Sequence, residues 1–162
     1  MSEREPNPKI ATFFERLERL DAGGRARLKR SAGKPLAESR DALGLFYSVL
    51  PWGVSAFQEE VYFLAATLFP MADGGGKGDL GTSLRQACQS KNSKGLDRRV
   101  EILLDADAAQ LPFRLRQAIR FLASCQVRVN WPRLLEDLLY WTHPDRFVQR
   151  RWARSYFASE QS

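Results

Sequence analysis

Apolar residues recur along this chain at the spacing of one helix face, in segment after segment. The clearest case is LPFRLRQAIRFLAS at 111–124, where Leu111, Leu115, Ala118, Ile119 and Leu122 share one arc and Arg116 and Arg120 lie away from it. Upstream, Asn7 and Pro8 supply a capping side chain and a first-turn proline, and Ile10, Phe13, Phe14, Leu17 and Leu20 then repeat helically. Asp21-Ala22-Gly23-Gly24 predicts a break, followed by a short basic helix from Arg25 to about Ser31 that Gly33 and Pro35 end. A third helix is expected over Ala37–Leu50, on Leu43, Phe46, Tyr47 and Leu50, with Pro51 as its stop. Ser55 caps a fourth, Ala56–Phe69, with Val61, Leu64, Ala65 and Leu68 inward.

The stretch DGGGKGDLG at 73–81 reads as a mobile loop, and Thr82 or Ser83 as the cap of a helix through Gln89, with a second soft region from Ser90 to Gly95. Next come Leu96, Val100, Leu103 and Leu104 on one side of a helix and Arg98 and Arg99 on the other, closed by Asp105 and Asp107. Over Trp131–Trp141 the residues Trp131, Leu134, Leu135, Leu138 and Trp141 form one face, while Arg133, Glu136, Asp137 and Tyr140 form the opposite one. After His143-Pro144, a last helix from Asp145 to about Phe157 carries an apolar seam of Val148, Trp152 and Tyr156. Arg146, Arg150 and Arg154 line its other side, with Arg151 close by. No segment alternates as a strand does, so the expected fold is all-α: about eight helices in two lobes, residues 1–72 and 82–162, joined by the 73–81 loop.

Composition agrees with a folded core: 162 residues are 44% hydrophobic and 27% charged. The net charge of +6 matters more for where it sits. Residues 1–80 hold 11 basic and 11 acidic side chains, and 81–162 hold 14 and 8. Between Gly23 and Arg40, Arg25, Arg27, Lys29, Arg30, Lys34 and Arg40 face only Glu38, and no acid occurs over 108–135 or 146–159. A merely solvated surface mixes signs. Arg116 and Arg120, four residues apart with no acid among their helical neighbours, repel by about 0.2–0.5 kcal/mol in an isolated helix, which points to an anion from outside, and phosphate is the obvious one.

Catalytic chemistry is hard to find. The single histidine, His143, precedes a proline and reads as a turn residue. Cys88 and Cys125 have no metal-ligand spacing and read as ordinary thiols of a reduced, cytoplasmic protein. Glu59 and Glu60 are helical neighbours that diverge rather than pair, and the glycine loop lacks the strand and Gly-Lys-Ser/Thr step of a P-loop. No apolar leader or membrane-spanning run is present, so no membrane partner is expected. Base-reading signatures are also absent, which leaves sequence-indifferent phosphate contact. Tyr140, Phe113 and Phe121 lie off the apolar arcs, where base stacking and helix packing both remain open.

Five segments together resemble a known family: FFERLERLDAGGRARLKRSAG at 13–33, ATLFP at 66–70, LDRRVEILL at 96–104, LPFRLRQAIRFL at 111–122, and WPRLLEDLLYW followed by VQRRWARSYF ending at Phe157. In this order they resemble the small subunit of the type I-E CRISPR surveillance complex, Cascade. The resemblance implies a non-catalytic helical subunit without cofactor or metal, present as two copies between the backbone and large subunits, where it supports guide RNA and target DNA in an R-loop. Carried over by position, Arg25, Arg27, Lys29, Arg30, Arg98, Arg99, Arg116, Arg120, Arg150, Arg151 and Arg154 fall in the family's basic segments. With Lys34 of the first cluster they make up the expected nucleic-acid contacts. The competing reading is a stand-alone basic helical RNA-binding protein.

Overall fold

In the computed structural model, which describes residues 7–91 and 95–158, nine α-helices follow one another. They are α1 Pro8–Glu18, α2 Ala22–Arg30, α3 Leu43–Val49, α4 Ala56–Leu68, α5 Leu80–Lys91, α6 Leu96–Leu104, α7 Leu111–Ser124, α8 Trp131–Leu138 and α9 Phe147–Phe157. The fold is all-α, and the one β-type pairing among the described residues is an isolated bridge between Gly74 and Val129.

The helix starts follow from local chemistry. The Asn7 carboxamide oxygen accepts from Lys9 N at 2.9 Å, and Ser55 Oγ from Gln58 N at 3.4 Å, as expected of capping side chains. Asp21 does the same for α2, accepting from Gly24 N at 2.7 Å, so Gly23 and Gly24 lie inside the first turn of α2 rather than between helices. At α5 the cap is Asp79, bonded to Thr82 N at 3.0 Å, and not Thr82 or Ser83. Asp79 wins because its carboxylate also takes Ser155 Oγ at 2.9 Å, which ties the start of α5 to α9.

Three boundaries depart from the periodic pattern. Residues 36–38 form a separate 3₁₀ turn and α3 begins only at Leu43, because Ser39 Oγ turns back to Pro35 O at 3.0 Å and competes with the helix ladder. At the end of α8, Tyr140 N bonds Asp137 O and Trp141 N bonds Leu138 O, so the last turn tightens three residues short of Trp141. Finally α9 starts at Phe147 rather than Asp145: Asp145 N donates to His143 Nδ1 at 3.1 Å in a closed turn, and Arg146 sits at φ 52° in the left-handed region, its guanidinium bonded to Leu104 O.

The 73–81 loop is fastened rather than loose. Val129 N donates to Asp73 O at 2.9 Å, Gly76 N to Val129 O at 3.2 Å and the Trp131 indole to Ala72 O at 3.2 Å. A Cβ on Gly76 would lie 2.5 Å from Arg128 O, so only a glycine there lets the backbone of Arg128 and Val129 run so close. Of the expected soft region Ser90–Gly95, α5 takes in residues 90 and 91, and residues 92–94 lie outside the described residues.

The apolar core runs without interruption through helices on both sides of this loop. Phe13 meets Tyr62 at 5.0 Å and Phe46 meets Phe63 at 5.1 Å between ring centres, edge on, while Trp131 at the head of α8 packs on Phe69 at 5.6 Å. In α4 the burial is wider than its expected stripe, taking in Tyr62, Phe63, Ala66 and Thr67 and leaving Val61 and Leu64 half-buried. Helices α5 and α9 pack most closely, for Gly81 lies so near α9 that an added Cβ would fall 2.3 Å from Trp152 O.

Candidate nucleic-acid interface

Helix α7 presents its leucine and isoleucine arc inward, with Leu115, Ile119 and Leu122 wholly buried, and this fixes where its arginines point. A second row, Arg114, Gln117, Phe121 and Ser124, recurs at helical spacing and faces α6. Together with Arg99 of α6 and Arg120 it encloses an open cleft of about 520 Å³ whose floor is Leu84, Leu96, Val100 and Leu103. Among the described residues no acidic side chain lines this cleft. The Arg99 guanidinium lies over the Phe121 ring at 5.7 Å, and that of Arg114 over Phe113 at 5.3 Å, so both cations are held by aromatic faces rather than by carboxylates. Their N–H groups stay available to an anion while the acid-free rim keeps the local field positive.

The expected residues separate into several settings. Arg99 and Arg120 both line the cleft, whereas Arg98 is exposed and does not. Arg116, although four residues from Arg120, is half-buried with its Cδ 3.5 Å from where a Cβ on Gly33 would lie. Its buried Nε makes no hydrogen bond among the described residues. The two therefore do not form one free pair.

On α2, Arg25 is half-buried, donates to Glu18 O at 2.9 Å and lies over Phe69 at 5.9 Å. Arg30 approaches the Asp41 carboxylate at 3.6 Å, so an acid just beyond the Gly23–Arg40 block partly neutralises that cluster, and Arg27 is engaged by the Asp41 backbone carbonyl. Lys29 and Lys34 are exposed.

On α9, Arg150 and Arg154 are exposed, opposite the buried Val148, Trp152 and Tyr156. Arg151 lies over Phe147 at 4.9 Å and borders a small hollow with Glu136, Asp137 and Tyr140.

Asp137 is the residue whose environment the helix pattern misplaces. Expected on the polar face of α8, it is 4% exposed and accepts from the Trp152 indole at 2.8 Å. Burial raises its pKa above the ordinary carboxylate range, against the opposing pull of the Trp152 bond and of Arg133 and Arg151. Tyr156, bonded to Asp97 Oδ1 at 2.7 Å, is likewise pushed far up, first by burial and then by that bond.

Glu59 and Glu60 serve different partners, the Tyr47 hydroxyl at 2.7 Å and Leu36 N at 3.2 Å. His143 is the turn residue its proline suggests, and Cys88 and Cys125 are half-buried free thiols. Among the described residues no cluster of histidine, cysteine, aspartate or glutamate is placed to hold a metal, and no helix is long and apolar enough to cross a membrane.

Arg114 is the cleft residue that the charge pattern does not single out, although the Arg114-Gln117-Phe121-Ser124 row is present in the sequence. Phe113 and Phe121 stand out first as aromatics, and which side of α7 faces α6 depends on tertiary packing.

Comparison with known proteins agrees with this architecture. Residues 24–157 match the family model described as CRISPR-associated protein Cse2. A Cse2 protein of Thermus thermophilus is 33% identical over 162 residues, spanning 97% of this chain and 93% of its own. The crystal structure of a Cse2-family protein from Thermus thermophilus superposes with a TM-score of 0.80 at 30% identity, over 93% of this chain and 98% of that one. The CasB of M. ruber gives 0.79 at 28% identity, over 94% of each chain. A chain of a CRISPR RNA-guided surveillance complex has the same fold, with a TM-score of 0.78 at 22% identity and 91% of each chain covered. With the family model covering most of the sequence and an identity of 33% along nearly all of it, this chain belongs to the CRISPR-associated Cse2 family.

Proposed function

We propose that the chain is a non-catalytic subunit of a Cascade-type CRISPR surveillance complex, acting in the cytoplasm beside backbone and large subunits, guide RNA, target DNA and a second copy of itself. Its task there is to hold nucleic-acid backbone without reading sequence and so to favour the R-loop. The observation that carries this reading is the α6–α7 cleft, where Arg99, Arg114 and Arg120, and no acid, are among the described residues that line an apolar floor.

R-loop formation exchanges one duplex for another of similar stability, so a few phosphate contacts decide its direction. Guanidinium groups suit that role, because they attract phosphate whatever the base and release counterions on binding. Arg150 and Arg154 on α9 and Lys29 and Lys34 at the end of α2 extend the basic surface, while Arg25, Arg27 and Arg30 serve it less, being partly engaged within the fold.

The test is recovery of the tagged chain from its native cell. Co-recovery of the other Cascade subunits with guide RNA in fixed proportion supports the reading. Recovery alone, or with unspecific cellular RNA and no subunits, contradicts it.

A further inference from the structure

Of the four tryptophans, Trp131, Trp141 and Trp152 are at most 4% exposed and Trp52 is 97% exposed. That contrast needs an explanation, because an indole in water gains nothing from folding. The turn that carries Trp52 is also held in place. It sits in the turn between α3 and α4, after a buried Pro51 and before Gly53 at φ +86°.

Two cations of α1 fasten the turn on either side. Arg16 donates to Leu50 O at 3.3 Å and Lys9 Nζ to Gly53 O at 3.0 Å. Both side chains remain exposed, with N–H groups to spare. Among the described acids of α1 and α4, Glu15 and Glu18 are exposed, while Glu59 is engaged by Tyr47 and Glu60 by Leu36 N.

We propose that Trp52, with Lys9 and Arg16, forms a stacking site for one unpaired nucleobase and its phosphates, separate from the α6–α7 cleft. The chemistry is that of single-strand binding: an aromatic face takes any base, and flanking cations take the backbone. A protein anchor is the weaker match, because the carbonyls on either side of Trp52 are bonded to the cations Lys9 and Arg16, which suit an anionic backbone better than an apolar surface. This inference rests on the nucleic-acid reading above, and its test separates the two.

The full-length protein is titrated at low salt with dye-labelled oligothymidylate, following dye anisotropy for binding and tryptophan emission for stacking. The site predicts quenching confined to the exposed indole, over unquenched emission from the three buried ones. Trp52→Tyr keeps the affinity and abolishes the quenching; Trp52→Ala weakens binding by about fivefold or more. Arg99→Gln with Arg120→Gln lowers affinity while leaving the quenching at saturation unchanged.

Binding without quenching, and without loss in Trp52→Ala, overturns the Trp52 site and leaves the cleft reading standing. So does a Trp52→Ala protein that keeps its oligonucleotide affinity but no longer co-purifies with partner subunits, which makes Trp52 a protein anchor. Absence of any oligonucleotide binding overturns both.

Discussion

Replacing Trp152 by Phe isolates one bond in the core. Trp152 is 1% exposed, its ring lies 5.1 Å from that of Trp141, and its indole N–H is the donor to the buried Asp137 carboxylate. Phenylalanine keeps most of the apolar packing and removes the donor, so the expected loss is that of a hydrogen bond to a charged group, about 1.5–3 kcal/mol. For a chain of this size that corresponds to a fall in Tm of roughly 3–12 °C. Trp152→Ala adds a cavity and should cost about 3–5 kcal/mol before the stranded carboxylate is counted.

The pH dependence follows from Asp137. Burial already raises its folded pKa above the unfolded value, so its contribution favours the fold below the unfolded pKa and is lost as pH rises through the folded one. The Trp152 bond lowers that pKa, and removing it lets the folded value climb further. The gap between wild type and Trp152→Phe is therefore larger at neutral pH and narrows as pH falls into the carboxylate range. Urea unfolding of both proteins across that range measures it. A gap that stays constant, or widens on acidification, refutes the role assigned to the Asp137–Trp152 bond.

Gly81→Ala places a methyl group against the α9 backbone, where the clash with Trp152 O cannot be relieved by a rotamer, and should destabilise by about 1–3 kcal/mol in urea unfolding. Arg120→Ala, Arg150→Ala and Arg154→Ala, all at exposed positions, should each shift stability by less than about 0.5 kcal/mol. Where such an arginine neutralises a phosphate, its removal should lower the slope of log K against log salt by about one unit in a binding titration. Arg116→Ala should weaken folding more than Arg120→Ala does, because its stem packs beside Gly33, and thermal unfolding of the two side by side decides this.

Much of this structure was legible in the sequence, and the failures have physical causes. The α7 helix and its inward arc follow directly from periodicity, because a long amphipathic segment with a proline in its first turn has few alternatives. Capping chemistry placed α1 and α4 for the same reason. Asp137 could not be read correctly, since whether a carboxylate at a helix flank meets water or an indole depends on where α9 lies, and α9 is brought there by Asp79, Gly81 and Ser155. The glycine loop misled in another way: its glycines serve close approach to Arg128 and Trp152 as much as freedom of motion.

Among the basic residues, sequence separated acid-rich from acid-free stretches but not free cations from engaged ones. Asp41 lies just outside the first basic block and still reaches Arg27 and Arg30, while Arg116 and Arg120 share a helix side yet meet different neighbours.

The central claim is that the acid-free cleft between α6 and α7 holds nucleic-acid backbone and tips the R-loop. The direct measurement is R-loop formation by reconstituted complex carrying Arg99→Gln, Arg114→Gln and Arg120→Gln together, compared with wild type at several salt concentrations, once thermal unfolding has shown that the variant folds and size-exclusion chromatography that it assembles. The account predicts weaker R-loop formation with a shallower salt dependence, by about one unit of slope for each phosphate that an arginine no longer neutralises. An assembled triple variant that forms R-loops as well as wild type, with the same salt slope, would contradict it.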